Sequence, residues 1–300
     1  MVPLISSIAF GPLGVCQLPR LWWKVLLRHA GLLDTEYPDC SGGLDAQVLD
    51  VLHLDREATL AYLRSEMPTY LHFEDWVREQ NDGNVPADDI ARWNESVRTR
   101  VHTRPEKIAE TYRDIGLAEG AGITSAVLLN CLQDWQLFHG RDLDTDFAGV
   151  GGRMVPLVST LDYGPLGVCQ LPRTWLKNVL HSRGRLHPDY PHMTQDGLDA
   201  RALRVLNVPP NDAVEFLHRR VPTYLEFEAW TVERTDNAID DVRVQEWNAY
   251  LRSRIHTAHR RAEICTALGH RFGEPPTSAV VLNHVEDWHY AHADLIRALH

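Results

Sequence analysis

The decapeptide Gly-Pro-Leu-Gly-Val-Cys-Gln-Leu-Pro-Arg occurs at residues 11–20 and again at residues 164–173. Ten identical residues in a row, 153 positions apart, mean that one domain is written twice in tandem. The period is about half of the 300-residue chain. That is far longer than the roughly 20 to 50 residues of a solenoid repeat, and each copy can hold its own core. The second copy opens on Met154-Val-Pro-Leu as the first opens on Met1-Val-Pro-Leu. The expected domains are therefore residues 1–148 and 149–300. The glycine-rich segment 142–153 is the expected junction, short enough for the copies to pack together.

The two copies differ in charge. There are 14 Lys+Arg against 23 Asp+Glu through Arg153, and 16 against 18 after it. The first copy is thus near −9 and the second near −2. An acidic chain of this kind is not expected to bind nucleic acid, whose affinity rests on a basic surface. No run approaches the roughly 20 apolar residues of a membrane span. Residues 1–18 lack the basic start of a signal peptide. Five cysteines without dense spacing suggest reduced thiols and a cytoplasmic protein.

Helix signals dominate, and the expected fold class is all-α: two homologous helical domains packed as a pseudo-twofold intramolecular dimer. Pro19 and Pro172 suit a first helical turn, with Gly31 and Gly184 as stops. Trp22, Val25, Leu26 and Ala30 form the stripe of a half-buried helix. Asp55, Thr69 and Thr223 are expected N-caps, and Thr223 with Glu226 has capping-box spacing. The last helix of each copy is expected to start at Thr124 or Thr277 and to end near His139 or His292. Six or seven helices per copy follow, with no convincing sheet.

The copies can be compared with each other. Trp22/Trp175, Trp76/Trp230, Trp93/Trp247 and Trp135/Trp288 read most simply as core anchors. Recurrent polar groups are more informative. Arg20, Lys24 and Arg28 make a row at helical spacing, matched by Arg173, Lys177 and His181. Cations near a helix start are unfavourable and call for an anion. That anion is either an internal acid (Asp45/Asp199 or Glu74/Glu228) or a ligand carboxylate or phosphate. Asn94, Arg98 and His102, matched by Asn248, Arg252 and His256, fall at i, i+4 and i+8. The last helices carry Asp134 and His139, matched by Asp287 and His292. Cys16 and Cys169 read either as buried hydrophobes or as nucleophiles at a helix start. No metal-ligand pair recurs in both copies, so no metal and no cofactor are expected.

Leu18-Pro19-Arg20, Lys24, Gly31, Tyr37, Gly43-Leu44-Asp45 and Trp76-Val77, in that order, resemble a family of bacterial domains of unknown function. The second copy repeats the pattern at Leu171-Pro172-Arg173, Lys177, Gly184, Tyr190, Gly197-Leu198-Asp199 and Trp230, with Thr231 in place of the valine. The resemblance implies a small, mostly helical, soluble domain and supplies no activity. The family's usual form is a single copy, so the duplication is a departure.

The leading expectation is a cofactor-free acid–base enzyme (isomerase, lyase or cyclase) acting on a small, anionic, planar metabolite. Arg20, Lys24, Arg173 and Lys177 would hold the anion. Trp22, Trp175, Tyr70, Tyr224, Asn94, Asn248, Arg98 and Arg252 would complete the substrate site. His102, His256, His139 or His292, with Glu74, Glu228, Asp134 or Asp287, would move protons. The alternatives are a non-catalytic binding or scaffold protein, in which these residues only join helices, and a metal-dependent bundle using His284, His289 and His292. A small-molecule partner is expected, no nucleic acid and no membrane; self-association is left open.

Overall fold

A computed structural model describes residues 1–118, 120–145, 152–235 and 238–299. It is all-helical, with no strand among the described residues and only isolated bridges. Among the described residues each repeat supplies seven α-helices. They are α1 (Leu18–His29), α2 (Leu44–Val51), α3 (Arg56–Glu66), α4 (Tyr70–Gln80), α5 (Ala87–Arg98), α6 (Pro105–Ile115) and α7 (Ala126–Leu137) in the first. The second has α8 (Leu171–Ser182), α9 (Leu198–Val205), α10 (Pro210–Arg220), α11 (Tyr224–Arg234), α12 (Asp241–Ser253), α13 (Ala258–Leu268) and α14 (Ala279–Ala298). No helix is long and apolar enough to cross a membrane among the described residues.

Local chemistry sets the helix ends. Pro19 and Pro172 lie in the first turns of α1 and α8. Asp55 caps α3, Thr69 caps α4, and Thr223 with Glu226 forms the capping box of α11. The caps of α7 and α14 are Ser125 and Ser278, one residue later than Thr124 and Thr277. Helix α7 runs into a π-helical turn, Phe138–Asp142, and α14 continues to Ala298. Both therefore pass the ends expected at His139 and His292. Of the junction 142–153, residues 146–151 lie outside the described residues.

The compact units cross the boundaries of the sequence repeats. Unit 1 is Met1–Arg100 with Ile255–His300, and unit 2 is Val101–Arg254. Each unit joins the first five helices of one repeat to the last two helices of the other. In unit 1, α1 packs on α2, α3 and α4, while α14 packs on α4 and α13. In unit 2, α8 packs on α9, α10 and α11, while α7 packs on α6 and α11.

The exchange has a clear apolar cause. In unit 1, Tyr70 of α4 is edge-on to Trp22 of α1, with centroids 5.5 Å apart, and to Trp288 of α14 at 4.6 Å. In unit 2, Tyr224 meets Trp175 at 5.7 Å and Trp135 of α7 at 4.7 Å. All four tryptophans are fully buried. Each contributes a large apolar area, and each ring pair adds about 0.5–1.5 kcal/mol beyond it. Thus the tryptophan that closes each core comes from the other repeat. Trp22 and Trp175 also hydrogen-bond through their indole N–H to Pro68 O at 2.9 Å and Pro222 O at 2.8 Å.

This arrangement makes a specific prediction. Trp135→Ala and Trp288→Ala should each cost about 3–5 kcal/mol. Hydrogen exchange should accelerate in α8 and α11 for the first and in α1 and α4 for the second. Loss of protection confined to the repeat that carries the mutation would contradict the exchanged architecture.

Candidate functional site

The duplicated decapeptide is a loop whose polar groups meet inside the protein. Gly14 adopts φ +71° and Gln17 φ 72°, so the chain turns sharply into α1. The Asn94 amide spans this turn: its Nδ2 donates to Gly14 O at 2.6 Å, and its Oδ1 accepts from Cys16 N at 2.9 Å. Trp93 Nε1 donates to Cys16 O at 3.0 Å. Asn248 and Trp247 make the same bonds to Gly167 and Cys169. Gln17 and Gln170, left-handed and therefore strained, donate to Asp45 Oδ1 at 2.7 Å and Asp199 Oδ1 at 2.8 Å.

The cationic rows end on the same internal network. Lys24 Nζ lies 2.5 Å from Asp45 Oδ2, and Lys177 Nζ lies 2.6 Å from Asp199 Oδ2. The Lys24 ammonium holds the Asp45 carboxylate below its usual range against the upward pull of burial. Arg20 Nη1 donates to Pro3 O at 2.6 Å and Ile5 O at 2.7 Å, and its guanidinium lies over the Tyr37 ring. Arg173 bonds Pro156 O and Val158 O and lies over Tyr190. Arg28 donates to Tyr37 O. Arg20, Lys24, Arg173 and Lys177 are buried, Arg28 is half-buried, and all five are bound to the chain itself. Asp45 and Asp199 are the internal anions that receive the lysines of the two rows.

The row Asn94, Arg98, His102 is broken by the end of α5 at Arg98. Asn94 and Arg98 belong to unit 1 and His102 to unit 2. In the same way α12 ends at Ser253, parting Asn248 and Arg252 from His256. His102 is half-buried, with its backbone N–H on Thr124 O. His256 Nε2 lies 2.8 Å from Asn283 Oδ1.

His139 and His292 serve helix ends. Met67 and Val221 take left-handed backbone at the C-caps of α3 and α10. Their carbonyls lie 2.8 Å from His292 Nε2 and His139 Nε2. His292 stacks on Trp22, and His139 on Trp175. Asp134 and Asp287 are buried. His284 Nδ1 lies 2.9 Å from Phe10 O, and the ring stacks on Trp288. His284, His289 and His292 form no metal-ligand group among the described residues. Burial pushes the Cys16 thiol up to about 11 and Cys169 to about 12, so neither is a thiolate at neutral pH.

Chemistry concentrates instead at Glu74 and Glu228, one turn after Tyr70 and Tyr224 on α4 and α11. Burial raises Glu74 to about 8 and Glu228 to about 7, outweighing the tyrosine beside each. Tyr224 donates to Glu228 Oε1 at 2.5 Å. Leu13 N donates to Glu74 Oε2 at 3.0 Å, and Leu166 N to Glu228 Oε1 at 3.4 Å. The first glycine of the decapeptide makes room for this pair. A Cβ on Gly11 would meet Glu74 Oε1 at 2.6 Å, and one on Gly164 would meet the Tyr224 hydroxyl at 2.5 Å.

Each glutamate lines an open cleft inside its own unit. The unit 1 cleft, of about 610 Å³, runs between Pro12, Leu71 and Glu74 and residues 270–281 of the other repeat. Its wall carries Asp75, Arg78, His270 and Arg271. Asp75 lies 3.1 Å from Arg78 Nη1 and 3.5 Å from His270 Nε2. Burial pushes His270 below the ordinary histidine value despite Asp75. The unit 2 cleft, of about 640 Å³, keeps Pro165, Leu225 and Glu228 but is otherwise mainly apolar. It has Leu117, Ala229 and Val232 where unit 1 has His270, Asp75 and Arg78. His270 was missed in the sequence because it has no histidine counterpart in the first repeat. Only the exchange of helices brings it to Glu74.

Compared with protein-family models, curated proteins and solved structures, the chain matches none.

Two predictions follow from the glutamate geometry. Gly11→Ala and Gly164→Ala overfill a closed space and should each cost about 1–3 kcal/mol in denaturant melts; neutral outcomes would show that the Tyr–Glu pair gives way freely. The raised glutamates also set a pH slope. Above the unfolded value of 4.5 the unfolded chain loses these protons first. Stability therefore falls with rising pH, up to about 8 for Glu74 and about 7 for Glu228. Glu74→Gln, which mimics the protonated acid, should shrink the stability difference between about pH 5 and pH 8. An unchanged difference would mean that Glu74 ionises freely in the folded chain.

Proposed function

We propose that the protein is an acid–base enzyme whose active cleft is the one in unit 1. The observation that carries this reading is the pairing of opposite protonation states in one cleft. Glu74 holds its proton at neutral pH, whereas His270 is neutral with Asp75 beside its ring nitrogen. A pair of groups pushed apart in this way supplies a general acid and a general base at one pH. Arg78 and Arg271 on the same wall suit a carboxylate or phosphate on the substrate, and Phe272 offers a face for a planar one. Isomerisation, elimination and cyclisation all fit such a set without a cofactor.

The cleft in unit 2 favours a second role, binding without proton chemistry. It keeps the buried glutamate and loses the histidine, aspartate and arginine. The fused pair then reads as an intramolecular dimer, each site completed by the other repeat, in which one site retains chemistry. The resemblance to a bacterial family of unknown function is compatible with this and adds no substrate.

A thermal-shift screen against small carboxylates and phosphates tests the reading. Stabilising ligands should lose their effect in Arg271→Ala and keep it in Arg98→Ala. With a turned-over ligand in hand, Glu74→Gln and His270→Ala should each lower kcat by about 10²–10⁴-fold. Full turnover in Glu74→Gln, or ligand binding indifferent to Arg271, would contradict the assignment.

A further inference from the structure

Three positions hold an ion cluster in one repeat and three imidazoles in the other. In unit 1 they are Arg28, Asp39 and Arg64. Arg64 Nη2 donates to Asp39 Oδ2 at 2.7 Å, and Arg28 Nη2 to Tyr37 O at 2.5 Å. The equivalent residues of the second repeat are His181, His192 and His218. One ring nitrogen from each lies within 4.8 Å of the others. The His181 and His192 rings stack at 4.0 Å, and His218 lies 5.2 Å and 5.3 Å from them.

We propose that His181, His192 and His218 form a three-histidine site for a divalent transition ion, with Zn²⁺ as its representative. Nitrogen is the ligand such ions favour, and three protein ligands leave a fourth position for water. A tetrahedral site with bonds of about 2.0–2.1 Å needs nitrogens roughly 3.3 Å apart, so the nitrogens must close by at most about 1.5 Å, with the stacked His181 and His192 rings turning to converge on the ion. Two of the ligands sit in the last turns of α8 and α10, which pack together. Helix C-termini favour a cation there. The third is on the loop after Tyr190-Pro191, and Asn178 Nδ2 ties that loop to α8 by donating to His192 O at 3.2 Å.

The surroundings support the assignment. His218 Nε2 is buried with no hydrogen-bond partner, an expensive state that a metal bond relieves. Burial and the other two rings lower His192, and burial with His181 lowers His218, so both present lone pairs at neutral pH. Among the described residues no acid joins the cluster: His192 stands where the first repeat has Asp39, and Asp199 is engaged by Lys177. His181 is exposed, which gives an ion a path from solvent. Comparing residues 28, 39 and 64 with 181, 192 and 218 shows the substitution in the sequence, but their separation hides the cluster until the helices pack.

The test is a Co²⁺ and Zn²⁺ titration of untagged full-length protein stripped with a chelator. Wild-type protein should bind one ion per chain and show visible Co²⁺ bands. Zn²⁺ should raise its Tm, and chelator should reverse the rise. Binding should weaken below about pH 6 as the imidazoles take up protons. The variant H181R/H192D/H218R installs the side chains that unit 1 already accommodates, so it should fold with the same circular dichroism and lose the ion. His259→Ala, at an exposed ring paired with Glu263, should bind as wild type does. Absence of binding by the wild type at micromolar ion, or undiminished binding by the triple variant, would overturn the site.

Discussion

The buried bond between Lys24 and Asp45, with its copy between Lys177 and Asp199, underlies the order of each unit. One aspartate receives the lysine, the Gln17 amide and the Ser41 N–H, so α1, the turn before it and the start of α2 share a single anchor. A charge taken out of water persists only where it is paired and hydrogen-bonded. Once that anchor is set, the left-handed Gln17 is held and the decapeptide turn can present its backbone to Asn94 and Trp93. The identity of ten residues in both copies follows. The Gln17 and Arg20 side chains and the peptide groups of Gly14 and Cys16 have assigned partners, and Val15, Cys16 and Leu18 are fully buried, so little room for change remains.

This economy separates scaffold from chemistry. Polar groups that recur at the rows of α1 and α8 are spent on carbonyls and aspartates. The groups available for chemistry line clefts where the repeats have diverged. Unit 1 has a charged wall and a protonated glutamate, while unit 2 has an apolar wall around its equivalent. The repeats differ in the same way where an arginine–aspartate cluster in the first stands against three imidazoles in the second. Duplication made this tolerable, because each unit keeps its own tryptophan–tyrosine core whatever its cleft becomes.

Much of the local structure was legible in the sequence. Prolines 19 and 172 and the caps Asp55, Thr69 and Thr223 act through neighbours a few residues away, and such effects leave a local pattern; of the expected tryptophan anchors, Trp76 and Trp230 are only half-buried. The long-range arrangement was not legible. Asn94, Arg98 and His102 share a helical period, yet α5 stops at Arg98 and the unit boundary falls just after Arg100. Periodicity records which residues could share a face and not where the helix ends. Glu74 stood out as a recurrent acid, but its cleft depends on residues 270–281 reaching it from the other repeat. Nothing in the spacing of a tandem duplication says which copy of α7 or α14 closes which core.

The most direct test of the central claim is a double-mutant cycle on the first anchor. Lys24→Met and Asp45→Leu, made singly, should each cost about 3–5 kcal/mol, since each leaves a buried charge without its partner. The double variant should recover part of that loss, because neither charge is then stranded, although the Gln17 amide and the Ser41 N–H still lack their acceptor. Single variants that melt as the wild type does would show that the cationic row is not held by the protein itself, and its counter-charge would have to be sought in a bound anion.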